Sequence, residues 1–95
     1  MVSVRDDWTN LAQSLLQGRR IVRVEYMSDL EAKENMWYKV PITLVLDNDT
    51  RVIVSMDDEC NDGGALIAKN IDGREYLIPV LRINEWSLSI ERLWL

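Results

Sequence analysis

Four carboxylates crowd one short stretch of the chain, Met56-Asp57-Asp58-Glu59-Cys60-Asn61-Asp62-Gly63-Gly64. Acids so closely spaced repel one another unless solvent or a cation intervenes, so this is the first place to look for metal chemistry. Asp58, Cys60, Asp62 and Gly63 stand at the spacing of positions 1, 3, 5 and 6 of a calcium-binding loop. Cys60 is a poor ligand for a hard cation, however, and Lys69 stands where that loop needs its bidentate Glu. The calcium-loop pattern therefore fails. A looser site would use Asp57, Asp58, Glu59 and Asp62, joined by Asp47 only if the fold brings both acidic turns to one end. The plainer reading is a solvated acidic loop ending in a glycine turn, with no metal and no cofactor.

Other reactive chemistry is scarce. The chain has no histidine, which removes Ser-His and Cys-His nucleophiles and the usual zinc sites. Cys60 lies among acids, the reverse of the electropositive setting a reactive thiol needs, so it reads as an incidental loop cysteine. Gly63-Gly64 and Gly73 lack the following helix or lysine of a phosphate cradle. No catalytic residue is assigned. The aromatics say more: four Trp and three Tyr with no Phe suit surfaces that are half wet. Trp8 and Trp86 fit apolar faces and are expected in the core. Trp37, next to Tyr38 and ahead of an edge-type strand, joins the acidic residues as a candidate binding residue.

These residues must be positioned by a small frame. Ninety-five residues suffice for one domain spanning 1–95. Val4, Trp8, Leu11, Ala12, Leu15 and Leu16 form one helical stripe, with Ser3 as N-cap, Asp6 and Asp7 in the first turn and Gly18 as the stop, so a helix is expected over about 4–17. Its stripe must lie on something, and a sheet contacted through Trp8, Leu11 and Leu15 is the expectation. Strands are expected at about 20–27, 38–47, 50–56, 65–69, 74–83 and 86–94. Ile21 breaks the alternation of the first, Pro41 withholds a ladder donor from the second, and Ser28 with Glu31 can open a helical turn between them. The result is an α+β fold: an N-terminal amphipathic helix and five or six antiparallel strands forming a small SH3-like barrel or a strongly bent sheet.

The chain carries 11 basic against 16 acidic residues, a net charge of −5. Nucleic-acid affinity rests largely on cations neutralising phosphates, and only Arg19, Arg20 and Arg23 cluster, so no nucleic-acid partner is expected. Those arginines read as strand-end charges paired with nearby acids. No apolar run approaches the ~18–20 residues of a membrane span, the start MVSVRDDW shows no export signal, and the single cysteine fits a reducing compartment. A cytoplasmic protein with no membrane partner follows.

A longer pattern carries a resemblance: Leu16-x-Gly18-Arg19-x-Ile21-x-x-Val24-x-Tyr26-Met27, Trp37-x-x-x-Pro41, Leu44-x-Leu46-Asp47, then Ser55-x-Asp57-x-Glu59-x-Asn61-Asp62-x-Gly64-Ala65-Leu66, with Leu77-Ile78-Pro79-Val80 beyond it. It resembles a group of small bacterial proteins of unassigned function. The resemblance implies that the Asp57–Gly64 loop is a family feature, with Cys60 standing where the pattern has glycine. The sequence thus points to a small binding or protein-interaction module for a protein or small-molecule partner. The alternative is a small enzyme or metal-dependent protein using the acidic loop. A homodimer is expected, with Leu93, Trp94 and Leu95 at its interface, because three successive apolar residues cannot all face one core.

Overall fold

The computed structural model describes residues 3–83. The strand expected at 86–94, and with it Trp86, Leu93, Trp94 and Leu95, lies outside the described residues. In chain order the elements are α1 (Val4–Leu16), β1 (Ile21–Tyr26), α2 (Asp29–Glu34), β2 (Lys39–Val40), β3 (Ile42–Leu46), β4 (Arg51–Ile53), β5 (Leu66–Lys69), β6 (Glu75–Ile78) and β7 (Leu81–Arg82). The fold is α+β, an N-terminal helix followed by antiparallel strands in small sheets.

Local chemistry sets the element ends. The Ser3 hydroxyl accepts the Asp6 N–H at 3.0 Å and opens α1, with Asp6 and Asp7 in the first turn. Gly18 closes it at φ 77°, where an added Cβ would meet nothing, so the left-handed backbone alone explains this glycine. Ser28 caps α2 by accepting the Glu31 N–H at 3.1 Å. The Glu31 carboxylate does not return to the cap. It takes a two-pronged bond from the Arg51 guanidinium at 2.8 and 2.9 Å, tying α2 to β4 and raising the Arg51 pKa through that hydrogen bond.

Prolines decide the sheet architecture. Pro41 divides the expected 38–47 strand: β2 pairs with β7, while β3 lies between β1 and β4. Pro79 falls in the matching gap between β6, which pairs with β5, and β7. A residue without an N–H cannot continue a ladder, so both long segments change sheets at their prolines. The described strands form three sheets and, among the described residues, do not close into a barrel. Register between β1 and β3 slips between Ile21 and Arg23, the bulge that relieves the broken alternation there.

The core is assembled around α2 rather than α1. Met27, Ala32, Trp37 and Val40 pack together, with Tyr26 and Ile83 against them. The Tyr26 hydroxyl donates to the Pro79 carbonyl at 3.0 Å, joining β1 to the second proline corner. By contrast, every residue from Ser3 to Glu25 is exposed, and α1 has no buried residue. The expected packing of Trp8, Leu11 and Leu15 on the sheet is therefore corrected: Trp8 is 66% exposed. The physical reason is that Ala32 of α2 and the Trp37 ring already occupy the interior.

Candidate functional site

The acidic loop is a closed excursion from the sheet. Its neck is the bridge between Ser55 and Gly63, reinforced by Met56 N–H to the Asp62 carbonyl at 3.0 Å and Gly64 N–H to the Val54 carbonyl at 2.8 Å. The expected glycine turn is instead a close approach. A Cβ on Gly64 would lie 2.7 Å from the Ser55 carbonyl oxygen, and one on Gly63 would lie 2.7 Å from Pro41 Cδ. Neither glycine has positive φ. Side chains are excluded here by contact and not by conformation.

Two of the four candidate carboxylates are engaged by the loop's own backbone. Asp57 Oδ1 accepts the Glu59 and Asn61 N–H groups at 3.0 and 3.2 Å, and its Oδ2 accepts the Asn61 side-chain amide at 2.8 Å. These donors, led by the Asn61 side chain, hold the Asp57 carboxyl below its ordinary pKa. Asp62 Oδ1 accepts N–H groups from Gly63 at 2.8 Å and Lys39 at 3.0 Å, so it ties the loop to β2. Asp58 and Glu59 are exposed on the same loop. Asp47 lies 4.0 Å from Arg19, and Arg23 pairs with Glu25 at 3.2 Å. Among the described residues no three His, Cys, Asp or Glu side chains are grouped to hold a metal ion.

Trp37 is placed differently from the surface position its sequence neighbours suggested. It is 7% exposed and belongs to the core, while Tyr38 beside it is 80% exposed. The Trp37 indole N–H donates to the Cys60 carbonyl at 2.8 Å, clamping the tip of the acidic loop onto the core. Cys60 itself is exposed and holds φ 59°, a left-handed backbone that glycine adopts more readily than cysteine. The Trp37 ring contributes to two open hollows. One, of about 430 Å³, includes Asn35, Ile53 and Cys60. The other, of about 720 Å³, includes Tyr38, Lys39 and Arg82. Lys39 and Arg82 face each other across the β2–β7 ladder, a like-charged pair the sequence reading missed. The signal was not local, because the two residues are far apart in the chain.

Among the described residues, α1 leaves its apolar stripe uncovered. Val4, Trp8, Leu11 and Leu15 are 73%, 66%, 46% and 49% exposed, and the apolar residues Ile21, Val22 and Val24 of β1 are also open. No helix among the described residues is long and apolar enough to cross a membrane. The chain matches no family model, and searches of curated proteins and of solved structures likewise return no match.

Proposed function

We propose that this protein is a protein-interaction module whose binding face is the apolar stripe of α1. The observation that carries the reading is an amphipathic helix of whose apolar stripe no residue is buried among the described residues. A soluble chain rarely leaves such a surface open unless something covers it. A helix of 13 residues is also marginal in water on its own and is stabilised chiefly by tertiary or partner contacts. Engagement of Asp57 and Asp62 by backbone donors makes the acidic loop a structural clamp in this reading. For the frame we retain a strongly bent sheet, a form supported by the strand corners at Pro41 and Pro79, and a cytoplasmic setting.

Hydrogen exchange on the monomeric chain tests the proposal. The α1 amides exchange quickly while those of β3, in the middle of its sheet, stay protected. Strong protection of α1 in the monomer would mean that the helix is packed on its own body, and the reading would fall.

A further inference from the structure

We infer that the hollow beside β2 and β7 binds a small aromatic oxyanion, its charged head between Lys39 and Arg82 and its ring against Met36 and Tyr38. The site is separate from α1, none of whose residues lines it. Its volume of about 720 Å³ falls in the range of small-molecule sites.

Strand pairing sets the charge. Lys39 stands directly opposite Arg82, and on the next rung the Ile83 N–H donates to the Tyr38 carbonyl at 3.1 Å. The Lys39 N–H is spent on Asp62 Oδ1 at 3.0 Å, so Lys39 and Arg82 form a rung without hydrogen bonds between them, the kind in which facing side chains come closest. Like charges facing each other there are destabilising. No acid relieves them: among the described residues neither side chain is in an ion pair. No acidic residue lines the hollow either, in a chain with 16 acidic to 11 basic residues. Lys33, in the last turn of α2, brings a further cation to the same lining. An oxyanion between Lys39 and Arg82 would meet the planar fork of one and the ammonium of the other.

The apolar side has its own construction. α2 ends with the Met36 N–H on the Lys33 carbonyl at 2.9 Å and the Trp37 N–H on the Ala32 carbonyl at 2.8 Å, the paired bonds of a Schellman turn. This turn buries Trp37 and leaves Met36 outside, 83% exposed, at a φ of 62° where glycine is usual. Tyr38 is exposed as well. Met36 and Tyr38 thus border the same hollow as the two cations, a combination that fits a charged head with an apolar body better than a bare ion.

The test is a titration of the full chain with phenyl phosphate at pH 7 and low salt, read from backbone amide shifts in nuclear magnetic resonance. Saturable shifts are expected at Tyr38, Lys39, Arg82 and Ile83, with a dissociation constant of about 0.1–1 mM. Benzoate in its place reads whether a carboxylate serves as well as a phosphate, and saturable binding of phenyl phosphate or benzoate at these amides supports the inference. Inorganic phosphate should bind at least about 10-fold more weakly than phenyl phosphate, and benzyl alcohol should give no saturable shift. Arg82→Glu turns the like-charged rung into an opposite-charged one, so its thermal midpoint should equal or exceed that of wild type while affinity falls at least about 10-fold. Lys39→Gln, at an exposed side chain, gives a second reading, with affinity lowered about fivefold. Absence of saturable shifts with both aromatic anions overturns the inference, including the case in which residues after Ile83 already fill the hollow. Equal binding of benzyl alcohol or inorganic phosphate overturns it too, as does affinity unchanged in both variants. Failure here leaves the α1 reading untouched, because hydrogen exchange in α1 tests that separately.

Discussion

Replacing Trp37 tests whether one buried indole holds both the core and the acidic loop. The ring is 7% exposed and packs with Met27, Ala32 and Val40. Burying an aromatic of this size removes about 200 Å² from water, which at about 25 cal/mol per Å² is an upper limit near 5 kcal/mol. Trp37→Ala is accordingly expected to cost about 3–5 kcal/mol. Total stability for a chain of this length is about 5–14 kcal/mol, so the variant loses a large fraction of it. Trp37→Phe keeps most of the ring but removes the N–H that reaches the Cys60 carbonyl at 2.8 Å. Cys60 is exposed, so water can take over its carbonyl, and the Phe variant is expected to cost only about 1–2 kcal/mol. Urea unfolding followed by far-ultraviolet circular dichroism reads both, with the slope against denaturant held constant. The rate of Cys60 thiol modification reads the loop separately and should rise in Trp37→Phe, because the loop tip loses its clamp. An Ala variant within about 1 kcal/mol of wild type would refute the core assignment. An unchanged thiol rate in the Phe variant would refute the clamp.

Three further outcomes follow from the loop. Cys60→Gly relieves a left-handed backbone at φ 59°, worth about 1 kcal/mol and partly offset by the freer unfolded chain, so its thermal midpoint should equal or exceed that of wild type. Gly64→Ala forces a Cβ to within 2.7 Å of the Ser55 carbonyl oxygen and should lower stability by about 1–3 kcal/mol in urea melts. The Asp57 carboxyl has its pKa lowered from 3.8 on folding, by the Asn61 side chain first, so its stabilisation is complete above the unfolded value and is lost as pH falls through the lower folded value. The gap in urea midpoint between wild type and Asp57→Ala should therefore be widest at about pH 7 and narrow below about pH 3.8, and a gap that widens in acid would contradict the sign.

Much of the local structure was legible in the residues because its causes are local. Ser3 and Gly18 bracket α1, Ser28 opens α2, and the Asp47–Thr50 turn carries its left-handed residue at Asp49, φ 66°. Caps and turns act within one or two turns of chain, so their signatures survive in the sequence alone. Pairing of the arginines with nearby acids is expected from charge, and Arg23 meets Glu25 two residues on, but Arg19 reaches Asp47 only because β1 pairs with β3. Tertiary structure decided the rest. The stripe of α1 announced an apolar face, but nothing in its spacing said whether a sheet would cover it, and Ala32 and Trp37 took the interior instead. Pro41 announced a missing donor, and only the partners of β2 and β3 show that the chain changes sheets there. The carboxylates of Asp57 and Asp62 looked like candidate ligands until their neighbours were placed. Which N–H group meets which oxygen depends on how the Ser55–Gly63 neck folds, and a buried contact such as Trp37 to Cys60 joins residues that no local spacing relates.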